Sequence, residues 1–432
     1  MEPRGALSVP AFRTLWAAGL ISDAGDWLLL VALPIVVFGL TGSALGTAAA
    51  FAAELAPGVL LAPVGGRLAD TLDRRALMIA LSVLQALALL PLLLVGAGQG
   101  LVIVYAVIVV QASLAALFDP AKNALLPSLV DTRRLVSANS LMGLGSAVAR
   151  LAGGPLGGLL LAAGSVHTIV VADALTFATA GVLIARVPHT RAGDGSGRAE
   201  GGVAATGTTG GLRAVLRDGR TRAALLVAFV ASTAQGIFVV LFIVFVARRL
   251  AGGSVEIGLL RGVQAIGAIG GGLVLARHGD RWRPVILVTA AAVAFGAVDL
   301  AIWNGPVVTR SETVYLALFV LAGAPGVMME TGGISFLQAG AADSERGRVF
   351  AALGVAENAG EALGIIIAGV LTVPLGLMAI LNAQGTLYLA SGALALLLAR
   401  RARPSGAAQC GRAGSRDGLV VGRRASTGPS AR

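Results

Sequence analysis

Apolar and polar positions alternate in long blocks along this chain. Runs of about 20 apolar residues are separated by short polar turns, and a helix of that length crosses the hydrocarbon core of a bilayer. Six runs precede a polar break and six follow it, which predicts an all-α integral membrane protein with twelve transmembrane helices. To within a few residues, the runs lie at 12–38, 44–68, 76–96, 101–118, 138–164, 166–186, 222–247, 255–277, 285–304, 313–338, 348–372 and 378–399.

The composition agrees with this pattern. The chain is 56% hydrophobic and 13% charged, whereas about a quarter of the residues in a soluble domain are charged. The single cysteine, Cys410, lies in a polar tail, and the three histidines show no metal-ligand spacing. We therefore expect no disulfide framework, no metal site and no cofactor. The first apolar run carries Asp23 and Asp26 and lacks a small-residue cleavage site, which indicates a span and not a removable signal peptide.

The polar break divides the chain into two halves. It contains AGDGSGRAEGGVAATGTTGG, which has too few apolar residues to form a core and predicts a flexible cytoplasmic linker. The stretch LRAVLRDGRTR at 212–222 is amphipathic, which favours a helix lying in the membrane interface; a solvated charge run is the alternative. The predicted units are an N-terminal six-helix bundle at 1–186, this linker at 187–221, a C-terminal six-helix bundle at 222–400 and a disordered basic tail at 401–432.

The distribution of basic residues predicts the orientation. With the N-terminus placed in the cytoplasm, the N-terminus, the even-numbered loops and the tail hold 28 of the 33 basic residues. The opposite loops hold Arg248, Arg249 and Arg310, and Arg150 and Arg261 lie inside spans. Because cytoplasmic loops carry an excess of Lys and Arg, both termini are predicted to be cytoplasmic, in the plasma membrane. The basic tail could also attract anionic lipid headgroups.

The two halves resemble each other in sequence. ARHGDRWRP follows the eighth span as GRLADTLDRR follows the second, which makes Asp280 the counterpart of Asp70. Asp131 and Asp343 precede the fifth and eleventh spans in the same way, and both pairs are separated by nearly the same length of chain. The similar offsets favour a duplicated six-span unit, which is typical of transporters with a site between the halves.

The loop after the second span carries five charges in eleven residues, GGRLADTLDRR at 65–75. This sequence resembles the loop signature of the major facilitator superfamily, the six-plus-six secondary transporters. Further resemblance lies in ISDAGDWLLLVALP, FDPAKNALLPSLV, DALTF and RGRVFA. With an aspartate at position 73, the loop resembles that of the drug and siderophore exporters, the branch that contains macrolide-efflux proteins and the enterobactin exporter.

The resemblance implies that this loop is a conformational latch. Asp70 would hold the cytoplasmic ends of spans two and eleven together in the outward-facing state and release them in the inward-facing state. The alternative is that the charges only orient the protein and cap its helices. The predicted latch residues are Gly66, Asp70, Asp73, Arg74, Arg75 and Asp280.

Charged residues inside spans are costly and are therefore expected to face a cavity or to pair with one another. In the resembled fold, spans one, four, seven and ten line the cavity, so Asp173 and Asp299 in spans six and nine are expected to be structural. Arg150 is the expected counter-ion of the site, and Arg261 a structural partner of Glu361. The predicted substrate or proton-binding residues are Asp23, Asp26, Glu54, Arg150, Glu330, Glu357 and Glu361.

Proton coupling follows from the resemblance and not from the residues. Desolvation raises the pKa of a carboxyl group and a nearby arginine lowers it, so a static salt bridge remains the alternative for each acid. The fourth span lacks an arginine that many drug–proton antiporters carry, and Gln111 is its nearest polar residue. The fifth span has GGPLGG, which differs from the antiporter signature in its glycine spacing but still predicts a kinked, closely packed helix between the halves.

These observations predict a secondary active transporter that exports a small amphipathic compound, such as a drug, an antibiotic or a siderophore, by proton-coupled alternating access. A receptor or assembly partner that keeps the fold without transporting is the alternative. The chain has no phosphate-binding loop, no H-E-x-x-H and no nucleophile–histidine pairing, so no enzyme activity is expected. The expected partners are the small molecule, protons and membrane lipid, with no nucleic acid, and the chain is expected to be a monomer.

Overall fold

The computed structural model describes residues 6–95, 100–131, 134–163, 166–188, 219–340 and 346–401, and this part of the chain is almost entirely helical. Twelve helices in these ranges are long and apolar enough to span a membrane, which confirms the number predicted from the sequence. They are α1 (Pro10–Thr41), α2 (Ala44–Thr71), α3 (Arg74–Ala88, continued by the 3₁₀ turn Leu90–Leu94), α4 (Gly100–Leu129), α5 (Leu135–Ala163), α6 (Val166–Ile184), α7 (Gly219–Arg249), α8 (Ser254–His278), α9 (Pro284–Asn304), α10 (Glu312–Gly340), α11 (Arg346–Leu375) and α12 (Leu377–Arg401).

Short polar signals end one helix and start the next. Gly42 adopts φ 59°, and its N–H caps the carbonyl of Phe38 at the end of α1. The Ser43 side chain then accepts hydrogen bonds from the first N–H groups of α2. Because the left-handed conformation favours glycine and serine is a preferred N-cap, two residues are enough to reverse the chain between α1 and α2.

The helices form two six-helix bundles with the same internal packing. In the first bundle, α1 packs on α5, α2 on α4 and α3 on α6. In the second bundle, α7 packs on α11, α8 on α10 and α9 on α12. Each pair in the second bundle is the counterpart, six helices later, of a pair in the first. The chain therefore consists of two pseudo-repeated six-helix bundles, as the sequence predicted.

Glycines allow the two bundles to approach closely. On α5, Gly153 and Gly157 face α1, whereas Gly154 and Gly158 face Gly258 and neighbouring residues of α8. The close packing predicted for GGPLGG is thus confirmed. Small residues are what helices in a bilayer use to bring their backbones together. The repeat-related contact joins α2 to α11, where Ala48 packs against Gly369.

Buried polar groups tie α9 to α12. The indole N–H of Trp303 donates to Gln384 over 2.8 Å, and the amide of Gln384 donates to the Asp299 carboxylate over 2.7 Å. In the first bundle, Asp173 accepts a hydrogen bond from Thr176 over 2.9 Å. Both aspartates are at most 1% exposed, and neither lines the cavities described below. Their surroundings agree with the structural role expected for them.

The contacts between the bundles lie toward one end of the molecule. We call the end at which α1 begins and α12 ends the terminal face, and the other end the opposite face. Gly158 meets Ser254 near the opposite face. At that face, the Arg248 guanidinium donates to the Gly42 carbonyl over 2.6 Å and lies 5.8 Å from the ring centre of Phe38. Arg248, which departs from the predicted charge distribution, therefore links α7 of the second bundle to the end of α1 at this face. Of the predicted linker at 187–221, residues 189–218 lie outside the described residues, and with them most of the interfacial helix predicted at 212–222; residues 219–221 already belong to α7. Residues 402–432 of the predicted tail also lie outside the described residues.

Candidate functional site

A cavity of about 410 Å³ is lined by helices of the second bundle together with Trp27 and Arg150 of the first bundle. We call it the central cavity. Its lining on α7 runs from Ala223 to Phe238, and its lining on α10 runs from Ala322 to Leu337. These stretches include the parts of both helices that lie nearest the terminal face. The central cavity is therefore open toward the terminal face and closed by the interbundle contacts at the opposite face.

Four charged side chains line the central cavity: Arg150, Arg261, Glu330 and Glu357. The guanidinium of Arg150 lies 5.7 Å from the ring centre of Trp27, and its charge interacts with that of Glu330. The guanidinium of Arg261 lies 5.1 Å from the ring centre of Phe238. Arginine stacks readily on aromatic faces, so both cations are held in place against a ring.

Arg261 also has acidic neighbours outside the cavity lining. Glu361 on α11 and Glu54 on α2 both interact with its charge, and these two carboxylates repel each other. Glu54 belongs to the first bundle, whereas Arg261 and Glu361 belong to the second. The structure therefore places Glu361 near Arg261, and the acidic surroundings of this arginine extend across the interface to Glu54.

A second cavity of about 230 Å³ lies within the first bundle, between α1, α3, α4 and α5. We call it the lysine pocket, because its centre is Lys122. The Lys122 ammonium lies 3.0 Å from Asp119 and 3.6 Å from Asp23, and Asp26 adds a further attraction. Trp27 lines both cavities, so the lysine pocket and the central cavity adjoin at this ring.

A glutamine on α3 lines the lysine pocket, and a glutamine on α4 is hydrogen-bonded to its backbone. Gln85 lines the pocket and is 3% exposed. Gln111 donates to the backbone carbonyl of Gln85 over 2.8 Å. The side-chain oxygens of both glutamines are buried without a hydrogen-bond partner in the described part of the chain. Buried amide oxygens of this kind are uncommon in native structures.

The structure therefore distributes the predicted site residues over three places. Arg150, Glu330 and Glu357 face the central cavity, and Asp23 and Asp26 face the lysine pocket. The remaining two acids, Glu54 and Glu361, surround Arg261. Arg150 is thus the neighbour of Glu330 and not a shared counter-ion of all the acids.

Sequence reasoning did not include Lys122 and Asp119 in the site. One signal was present: Lys122 is the only lysine among 33 basic residues. In a chain that otherwise uses arginine, a lone lysine inside a span indicates a position where a compact ammonium is preferred to a planar guanidinium.

The charged loop between α2 and α3 ties the first bundle together at the terminal face. Asp73 caps α3 by accepting from the N–H of Ala76 over 2.6 Å. Arg74 donates to backbone carbonyls of α2 and α4, and Arg75 donates to the carbonyls of Ile184 and Ala185 at the end of α6. These three latch candidates therefore have local structural contacts, as the capping alternative expects.

The other latch candidates differ in their surroundings. Asp70 is exposed at the terminal end of α2. A Cβ added at Gly65 would meet the Ala116 carbonyl at 2.6 Å, whereas one added at Gly66 would meet nothing within 4 Å. Gly65, and not Gly66, is thus the close-packing glycine in this structure. Asp280 lies in the 3₁₀ turn Gly279–Arg281, and its side chain lies outside the described part.

Comparison with known protein families supports a transporter. A family model described as "Transmembrane secretion effector" matches residues 3–411. The chain is 32% identical over 187 residues to YfiS, an uncharacterized MFS-type transporter of Bacillus subtilis (strain 168). That match covers 42% of this chain and 44% of YfiS, which is less than half of the relative's length.

Solved structures with the same fold are also found. A bacterial homolog of the human lysosomal transporter Spinster, in an inward-facing and unoccupied conformation, superposes with a TM-score of 0.72 at 14% identity, over 93% of this chain and 98% of that chain. A bacterial homologue of the iron transporter ferroportin in an inward-facing state superposes with a TM-score of 0.68 at 15% identity, over 91% of this chain and 99% of that chain. A peptide transporter, POT, superposes with a TM-score of 0.71 at 12% identity, over 92% of this chain and 96% of that chain. At these identities the likeness concerns the fold alone.

Proposed function

Since the chain belongs to the transmembrane secretion effector family of MFS-type transporters, we propose that it exports a small amphipathic compound by alternating access, driven by inward movement of protons. It is a multi-pass membrane protein, and its relatives are transporters. The direction of transport, the coupling to protons and the assignment to drug and siderophore exporters belong to the proposal.

One observation carries the proposal: the central cavity, lined by the second bundle and reached by Trp27 and Arg150 of the first, opens toward one face only. Alternating access requires a site that is exposed to each side in turn by rocking one bundle against the other. With the termini in the cytoplasm, as the basic residues predict, the terminal face is cytoplasmic. The structure then corresponds to the inward-facing state, in which an exporter takes up its substrate.

The loop at the terminal face supports the proposed latch. Asp70 is exposed here, as expected of a latch that is released in the inward-facing state. When the bundles close at this face, the carboxylate would meet the start of α11, where the positive end of a helix dipole stabilises an anion. Asp73, Arg74 and Arg75 would keep the loop rigid through the backbone contacts that they already make.

The acids supply the proposed proton sites. Asp23 and Asp26 in the lysine pocket, and Glu330 and Glu357 in the central cavity, face open space. The two cavities adjoin at Trp27, so a proton bound in one and a substrate bound in the other would act on neighbouring parts of the same helices. The other parts of the proposal are a monomer in the plasma membrane, with a linker and a basic tail in the cytoplasm. No bond of the substrate is changed.

Transport by inverted vesicles tests the proposal. In these vesicles the cytoplasmic face is outside, so an exporter takes compounds up when the interior is acidic. We expect uptake of at least one member of a broad panel of drugs and siderophores, and its loss when a protonophore removes the gradient. Asp26→Asn and Glu330→Gln should reduce this uptake, whereas Glu312→Gln, at the exposed start of the same helix as Glu330, should not.

An absence of uptake for every compound, under every gradient, would contradict the proposal. It would favour a receptor or an assembly partner. The structure does not favour that alternative, because a partner that only docks needs neither a cavity of this size nor four charged side chains inside it.

A further inference from the structure

We infer that the ligand of the central cavity is a zwitterion, an apolar molecule that carries a small anionic group and a separate cationic group. The inference rests on the proposed transport function, because it names the substrate class of the same cavity. It is carried by the positions of Arg150, Arg261, Glu330 and Glu357.

The cationic half of the cavity is unevenly paired. Glu54 and Glu361 lie near Arg261. Arg150, in contrast, is attracted by Glu330 alone among the acids of the described residues. Arg150 comes from the first bundle and Arg261 from the second, and their charges are close enough to repel each other. In the described part of the chain, neither guanidinium has a carboxylate within the 4.0 Å of an ion pair. The Nε of Arg150 is buried and has no hydrogen-bond partner there. A carboxylate between the two guanidinium groups would accept charge-assisted hydrogen bonds from their terminal N–H groups and offset the repulsion.

The anionic half is arranged in the same way. Glu330 on α10 and Glu357 on α11 are exposed to the cavity and repel each other. Glu330 attracts Arg150 at a distance without forming an ion pair with it. A ligand ammonium between the two carboxylates would relieve their repulsion.

The two halves lie at different depths. Glu330 and Glu357 each lie about three helical turns from the ends of α10 and α11 at the terminal face, whereas Arg150 and Arg261 lie between about four and five turns from the corresponding ends of α5 and α8. The arginines therefore lie farther along their helices from the terminal face than the glutamates do. The anionic group should therefore enter first, and the cationic group should stay closer to the mouth.

The charges of the lining favour a ligand with both signs. The four charged side chains that line the cavity add up to zero net charge, so a neutral zwitterion leaves this balance unchanged. A purely cationic ligand would leave Arg150 without an anion, and a purely anionic ligand would pass two glutamates at the mouth. Like charges brought together in a site of low dielectric are strongly unfavourable.

Aromatic rings provide a surface for the apolar body of the ligand. Phe295 and Tyr388 are stacked with ring centres 4.5 Å apart, and Trp27 and Phe238 lie beneath the two guanidinium groups. All four rings line the cavity. A volume of about 410 Å³ is within the range of ordinary small-molecule sites, which fits a drug-sized compound.

Binding of three matched dyes to the purified protein tests the inference. The first dye is a rhodamine with a free carboxylate, a zwitterion. The second is the methyl ester of that rhodamine, a cation of the same shape, and the third is fluorescein, an anion. We expect the zwitterion to bind about 10-fold to 100-fold more tightly than the ester, since a charge-assisted hydrogen bond to Arg150 is lost in the ester. Fluorescein should bind more weakly than the zwitterion.

Variants assign the preference to the cavity. Arg150→Gln should weaken binding of the zwitterion and leave binding of the ester unchanged, so that the ratio of the two dissociation constants approaches one. Glu330→Gln should weaken binding of both rhodamines, since both carry the cationic ring system. Two exposed changes serve as controls and should alter the affinity for neither dye. They are Arg277→Gln, on the same helix as Arg261, and Glu312→Gln.

Equal or tighter binding of the ester, or of fluorescein, would overturn the inference, and so would a failure of all three dyes to bind. The assay needs no membrane gradient. Binding of the zwitterion without transport would therefore support this inference and contradict the proposed function. Proton-driven transport of a purely cationic compound would support the proposed function and contradict this inference.

Discussion

The contact that closes the opposite face gives a direct test of the conformational model. A Cβ added at Gly258 on α8 would lie 2.5 Å from the carbonyl oxygen of Gly154 and 3.1 Å from the Cα of Gly158, both on α5. These neighbours are backbone atoms, which cannot turn aside as a flexible side chain can. Gly258→Ala should therefore destabilise the state in which the two bundles touch at this face.

The magnitude follows from the overlap. A methyl group needs about 0.9 Å more room than the 2.5 Å gap provides to reach an ordinary contact, and overpacking of this kind costs about 1–3 kcal/mol. The clash exists only while the opposite face is closed. The ratio of inward-facing to outward-facing molecules should thus fall by about 5-fold to 150-fold.

Pulsed electron resonance between two spin labels measures this ratio. After Cys410→Ser, labelled cysteines replace Leu40 at the end of α1 and Val373 at the end of α11, which are 53% and 82% exposed. The parent should show a short distance between the labels. Gly258→Ala should add a longer one, in proportion to the outward-facing fraction.

A matched glycine on the same helix provides the control. A Cβ added at Gly270 would meet nothing within 4 Å, so Gly270→Ala should change helix propensity by the same amount and leave the distances as they are. If folded Gly258→Ala protein gave the same distance distribution as the parent, the reasoning that glycine packing holds the opposite face closed would be refuted.

Three further changes test the local contacts by thermal unfolding of the purified protein. Asp73→Ala removes the cap of α3 and should cost about 1 kcal/mol, whereas Asp73→Asn keeps a capping side chain; equal losses in the two variants would argue against the cap. Gln384→Leu leaves Trp303 and Asp299 without their shared hydrogen-bond partner and should cost about 2–6 kcal/mol; an unchanged melting temperature would show that the network contributes nothing. Lys122→Met leaves two carboxylates without their cation and should cost about 1–3 kcal/mol, whereas Lys122→Arg keeps the charge and most of the stability; equal stability of the two variants would contradict an ionic role.

The close-packing surfaces were partly visible in the sequence. GGPLGG indicated a helix that others approach closely, because only a helix without side chains on one face allows this. That the same segment serves two neighbours, with Gly153 and Gly157 on α1 and Gly154 and Gly158 on α8, required the three-dimensional structure. Arg248 looked like an exception to the charge distribution, and its contact with the Gly42 carbonyl showed why it is there.

The grouping of the intramembrane charges was not visible in the sequence. Asp26 and Arg150 were both identified as inward-facing, but the structure places Asp26 in the lysine pocket and Arg150 beside Glu330. Lys122 lies in a motif that was recognised only for its family resemblance. Which charges meet depends on how each helix is rotated about its axis and on which helices are neighbours.

The sequence by itself determined that lipid surrounds the helices of this protein. It also determined the layout: twelve apolar segments, two similar halves and a short list of charged residues that must face the protein interior. The tertiary structure decided which of those charges share a cavity and which face of the molecule is open. The physical reason is that lipid accepts apolar side chains on every side of a helix. A membrane helix therefore carries little of the periodic pattern that, in a soluble protein, tells which face is buried.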